Sequence, residues 1–220
     1  MNAPHPVQTF GNFLEEIPAS DEYLILNFSP SSAPRKRRWG NYGLSADFLG
    51  DYFSAFFPGD EPSEQKINRR ETVKAAVTYI ANELIENAVK YTDEVAGLPI
   101  GIALYLYEQE IIFRATNYAP QQSVEKYQAF IRDFLSADPE EFYANQLEKT
   151  ALGQEESSLG ILTMSNDYGA KFGWLFQQQA TSSSSTSGSV PSLVPSLVPS
   201  SVSNSVANPV QVVVMARLEV

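Results

Sequence analysis

Glu83, Asn87 and Lys90 put a carboxylate, an amide and an ammonium at positions i, i+4 and i+7 of one stretch. Residues three and four apart are neighbours on a helix, so the three head groups share one edge. Their chemistry differs in kind: the carboxylate only accepts hydrogen bonds, the ammonium only donates, and the amide does both. Asn87 lies beside an apolar stripe, and an amide at the margin of a core-facing stripe must find a partner or suffer the cost of desolvation. On spacing alone two readings stand. The edge serves a function, or it is a solvated Asn flanked by ordinary Glu and Lys helix pairs.

The element that carries these residues runs from Arg69 to Asp93. Val73, Val77, Ile80, Leu84, Ala88 and Tyr91 recur at 4-3-4-4-3 spacing with no Pro or Gly between them, which predicts an amphipathic helix. Around it the 220 residues, 43% hydrophobic, allow one domain with a sizeable core over 21–220. A net charge of -11 excludes non-specific nucleic-acid binding, because phosphate contact needs a basic surface. There is no cysteine, so disulfides, thiol catalysis and Cys-ligated metals are excluded. His5 is the one histidine. No metal centre built on several histidines is available, and no helical histidine can accept a phosphoryl group. No run of about 18 apolar residues and no signal peptide are visible, so a soluble cytoplasmic protein without membrane contact is expected.

In chain order, residues 1–20 read as an N-terminal arm with one helical turn near Asn12–Glu16, and Asp21–Ser29 as a strand. A basic run, Arg35–Arg38, reads as a solvated patch or as a surface for an acidic partner or phosphates. Leu44–Phe57 carries a dense aromatic face on a helix, suited to core or to a homodimer contact. After the central helix, Ile100–Tyr107 and Glu110–Thr116 form an antiparallel hairpin around Glu108-Gln109. Helices follow over Ser123–Leu135 and from Asp138-Pro139 to about Thr150, then a short one over Leu159–Asn166 and a strand over Ala170–Gln178. From 180 to 209 the chain is mostly Ser, Val, Pro and Thr without charge, which cannot build a packed core. Val210–Val220 then reads as a closing strand, so the low-complexity stretch is expected as a loop between the last two strands.

The stretch ANELIENAVKYT resembles the N-box of the GHKL (Bergerat-fold) ATPases, and Glu83, Asn87 and Lys90 fit the form it takes in the anti-sigma-factor serine kinases. The order of elements is similar to that branch too, and to SiaB-type kinases of partner-switching pathways. The resemblance implies an α/β (α+β) sandwich with a mixed, mostly antiparallel sheet covered by helices on one face. It assigns Asn87 to Mg²⁺, Glu83 to general-base or water-positioning work and Lys90 to the phosphates of ATP. Those types suit the task, since Mg²⁺ takes oxygen ligands and Lys serves phosphate as a point charge.

Two further boxes of that family are altered here. Where its first glycine box has an Asp that accepts the adenine amino proton, Asn117 stands, with Ala119 at the Gly position and Pro120 one place early. An Asn carbonyl accepts more weakly than a carboxylate, and Ala restricts φ. The second glycine box corresponds to Ser157-Ser158-Leu159-Gly160-Ile161-Leu162, where Ser158 and Gly160 would hold phosphate at a helix start. Glu155 and Glu156 stand just before it and would repel a nucleotide. The resemblance therefore implies an ATP- and Mg²⁺-binding regulatory protein of a partner-switching or signalling pathway, acting by protein–protein binding. Its alternative is an active Mg-ATP-dependent serine/threonine kinase acting on a STAS-domain partner.

Overall fold

The computed structural model describes residues 7–29, 35–59, 68–152, 159–178 and 208–220, with the backbone alone over 35–41. Helix α2 (Arg69–Lys90) sits at its centre. Asn68 caps it, its side chain accepting from the Glu71 backbone N–H at 3.2 Å. Val73, Val77, Ile80, Leu84 and Ala88 are buried as their spacing predicts, and each full burial of a Val, Leu or Ile side chain contributes about 1.5–3 kcal/mol. Ala76, Ala81, Ile85 and Val89 are buried as well, because α2 packs both on β3 and β4 and against its neighbour α1 (Arg35–Ser54). Tyr91 falls outside the expected stripe: the helix ends at Lys90, and Tyr91 is its half-exposed C-cap.

Among the described residues the sheet has six strands: β1 (Val7–Gly11), β2 (Glu22–Phe28), β3 (Ile100–Leu106), β4 (Glu110–Ala119), β5 (Lys171–Gln178) and β6 (Val210–Glu219). Their order is β1-β5-β6-β4-β3-β2, and every neighbouring pair is antiparallel. The expected α+β sandwich is therefore present, with the mixed component absent among the described strands. Alternate residues of β4, Ile111, Phe113, Ala115, Asn117 and Ala119, face the helices. So do Phe172, Trp174 and Phe176 of β5. Helices α3 (Gln121–Ser136), α4 (Pro139–Ala151) and α5 (Leu159–Asn166) complete the layer; Asp138 caps α4 through the Glu140 and Glu141 amides, ahead of Pro139.

The stretch read as an N-terminal arm is corrected in its described part. Val7–Gly11 forms an edge strand paired with β5, and no helical turn occurs at Asn12–Glu16. Since β1 and β2 occupy opposite edges, the segment between them must cross the sheet. It does so on the face away from the helices. The Asn12 N–H donates to the Phe172 carbonyl at 2.8 Å, the Tyr107 hydroxyl donates to the Pro18 carbonyl at 2.7 Å, and Ser20 Oγ donates to the Leu106 carbonyl at 2.7 Å. A Cβ at Gly173 would overlap the Phe13 backbone, so glycine is what lets the strap lie flat on β5. Ile112, Val213 and Met215 on that face are thereby buried.

The helix expected over Leu44–Phe57 starts earlier and ends at Ser54, so the backbone of the Arg35–Arg38 run belongs to its first turn. β5 and β6 are neighbours with Gln178 opposite Val210, as required of strands joined through the low-complexity stretch. Residues 179–207, which hold nearly all of that stretch, lie outside the described residues. Among the described residues no helix is long and apolar enough to cross a membrane.

Candidate functional site

A cleft of about 1080 Å³ opens between the C-terminal half of α2, the helix-facing side of β4 and β6, and helices α3, α4 and α5. Small side chains create it. Phe113 and Ile111 fill the space above β4, but further along the same face Ala115 and Ala119 leave it open, as Ala88 does on α2. Leu84, Ile161, Val212 and Val214 add apolar wall, and Tyr127 and Phe130 of α3 present aromatic rings.

Asn87, Lys90, Asn117, Ala119 and Gly160 all line this cleft. Sequence positions far apart are thus brought together by the packing of α2 on β4 and of α5 on α2. Asn117 is not in a loop after the strand, as the box comparison expected, but within β4, opposite Val212. The strand continues to Ala119 because β6 pairs with it as far as Val210, and Pro120 then starts α3. No residue other than glycine has positive φ among the described residues, so Ala119 is unstrained where the family pattern has Gly.

Glu83 is placed differently. It is not among the residues lining the cleft but lies beneath α5, where a Cβ on Gly160 would overlap its Oε2 atom. Glycine at 160 lets the start of α5 rest on this carboxylate. Desolvation there, and to a lesser extent the charge of Glu86, hold the Glu83 pKa above the ordinary carboxylate value. The edge predicted on α2 is therefore split: Asn87 and Lys90 face the cleft and Glu83 faces α5. Ser158, Glu155 and Glu156 lie outside the described residues.

Sequence reasoning missed Gln146, Lys126, Lys149, Ser123 and the two rings of α3. Gln146 left a trace: it is buried while the adjacent Leu147 is half exposed, an inversion that becomes visible once the orientation of α4 is known. Tyr127 accepts a hydrogen bond from Trp174 Nε1 at 2.9 Å. Burial pushes its phenol far above the ordinary range, with the Trp174 hydrogen bond a smaller opposing effect, so it stays neutral. Among the described residues the lining carries Lys90, Lys126 and Lys149 beside one carboxylate, Asp133, in a chain of net charge -11, and Lys90 and Lys149 also interact with other groups of the chain. Such a lining attracts an anion.

The lining fits a nucleotide: apolar and aromatic walls for a base, amides for its edge, and lysines for phosphates. For Mg²⁺ the fit is narrower. No group of three or more acidic or histidine side chains able to hold a metal occurs among the described residues. The side-chain oxygen of Asn87 could hold a cation only together with phosphate oxygens and water.

No family model and no curated protein matches the chain. A chain in the crystal structure of the SiaB–SiaC complex from Pseudomonas aeruginosa does, with a TM-score of 0.50 and 14% identity over 90% of this chain and 89% of that one. At that identity the likeness is one of fold alone.

Proposed function

We propose that this is a regulatory protein of the GHKL type that binds Mg-ATP in the cleft and acts by binding a protein partner in a partner-switching pathway. One observation carries the reading: Asn87, Lys90, Asn117, Ala119 and Gly160, singled out from three separate stretches, converge on one cleft. The similarity in fold to a component of a two-protein complex supports the partner. Separately from that partner, α1 is the candidate homodimer contact: Leu44 and Phe48 are exposed one turn apart and Phe56 continues the row through the half-buried Tyr52. A second copy of the chain is the occupant proposed, since one apolar row can meet itself about a two-fold axis. Calorimetric titration with Mg-ATP tests the nucleotide half of the reading, with Asn87→Ala as the variant that loses binding.

A second reading has its own support. Glu83 is a half-buried carboxylate with a raised pKa one turn from Asn87, and a base is most effective when its pKa nears the working pH. In this reading the protein is a serine/threonine kinase, Glu83 orients or deprotonates the acceptor hydroxyl of a STAS-domain partner, and Asn87 and Lys90 hold Mg²⁺ and phosphates. That requires α5 to move off Glu83. Phosphoserine on a partner that disappears with Glu83→Gln establishes this reading; its absence with ATP bound leaves the binding module.

A further inference from the structure

Asn117 and Gln146 are each 5% exposed, yet among the described residues neither side chain makes a hydrogen bond. Both line the cleft, Asn117 from β4 and Gln146 from α4. Their polar atoms are open to the cleft, and a ligand that entered would displace their water, so it must offer matching groups or leave them unpaired at a cost. Two in one cleft point to a ligand whose polar edge satisfies them. The rings of Tyr127 and Phe130 line the same space and suit a flat ligand, and the lysines suit an anionic tail.

The inference rests on the nucleotide reading and adds to it which bases are accepted. We propose that the cleft reads a purine through the neutral amides of Asn117 and Gln146, and takes adenine and guanine nucleotides alike. The reason lies in the amide. It offers one acceptor and two donors, and rotation about its last torsion exchanges them at little cost. Adenine presents an amino donor beside a ring-nitrogen acceptor. Guanine presents a carbonyl acceptor beside a ring N–H donor, the reverse order. An amide meets either order, whereas a carboxylate in the same place only accepts and meets the guanine carbonyl with repulsion. A site that must leave a buried group unpaired rejects a ligand strongly, and here neither purine leaves one unpaired.

The test is calorimetric titration of the full chain with Mg-ATP, Mg-GTP and Mg-UTP. The expected result is ATP and GTP affinities within about tenfold of each other, with UTP weaker than both. Asn117→Asp removes the donor at one amide and lowers GTP affinity by about tenfold or more relative to ATP. Gln146→Leu, close in volume, weakens both purine nucleotides together, with an unchanged circular dichroism spectrum. ATP binding with GTP more than about tenfold weaker overturns the proposal and leaves the nucleotide reading intact. An unchanged purine affinity in Gln146→Leu removes Gln146 from base recognition and overturns the two-amide assignment. Failure of all three nucleotides to bind overturns the nucleotide reading and this inference with it.

Discussion

Gly160→Ala tests the packing that sets Glu83 apart from the cleft. The added methyl would overlap Glu83 Oε2 and crowd the rest of its carboxyl group. Either Glu83 swings aside or the start of α5 lifts away. Overpacking costs about 1–3 kcal/mol, and because the clash is with the end of a side chain the low end of that range applies. Against that, alanine gains up to about 0.5–1 kcal/mol over glycine inside a helix, and less at the second residue of α5. A net loss of about 1 kcal/mol is therefore expected in the wild-type background. In a Glu83→Ala background the obstacle is gone, and Gly160→Ala becomes neutral or slightly stabilising. Urea denaturation of the four proteins yields a coupling energy of about 1–2 kcal/mol, within the range for residues in contact. If Gly160→Ala were harmless in both backgrounds, α5 would not rest on Glu83, and the distinction between cleft residues and Glu83 would be lost.

Three other outcomes follow from the same structure. Burial raises the Glu83 pKa, so the folded state holds a proton that the unfolded state has released, and stability falls as pH rises from the ordinary carboxylate value through the raised one. Glu83→Gln should therefore be more stable than wild type at pH 7, with the gap closing by about pH 4 in urea titrations; a gap that widens on acidification contradicts the burial. Deleting Thr181–Asn208 leaves three residues between Gln178 and Val210, which stand opposite each other, so thermal unfolding should shift by no more than a few degrees; a loss of several kcal/mol by denaturant titration would mean the segment is packed. Phe48→Glu places a charge in the exposed α1 row and should turn a dimer into a monomer by sedimentation, with unchanged helicity; a wild-type chain that sediments as a monomer at high concentration ends the homodimer proposal.

What could be read from the sequence was whatever depends on local periodicity. The stripe of α2, the β3–β4 hairpin and the Asp138-Pro139 start of α4 all stand where their residues indicate. β1 escaped notice because Val7–Gly11 is short, ends in glycine and pairs with β5, which is remote in sequence. The start of α1 was hidden because its first turn is a run of four cations with no apolar period. Asn117 was placed after the strand because the family's first glycine box follows it there, but pairing with β6 carries the strand through it. The edge on α2 correctly grouped Glu83, Asn87 and Lys90 on one helix, yet which neighbour each meets depends on α5, whose approach is set by Gly160. Gln146 needed the orientation of α4, which its own sequence, with Leu147 beside it, argues against.

The central claim is that the residues gathered on this cleft bind Mg-ATP. Asn87 stands at the margin of the core rather than within it, so Asn87→Ala should retain the fold while removing the amide oxygen offered to the cation. Calorimetric titration of wild type and Asn87→Ala with Mg-ATP, each checked for an unchanged thermal transition, measures this directly. Wild type should bind saturably and the variant not detectably. Equal affinities, or no binding by wild type, would contradict the claim.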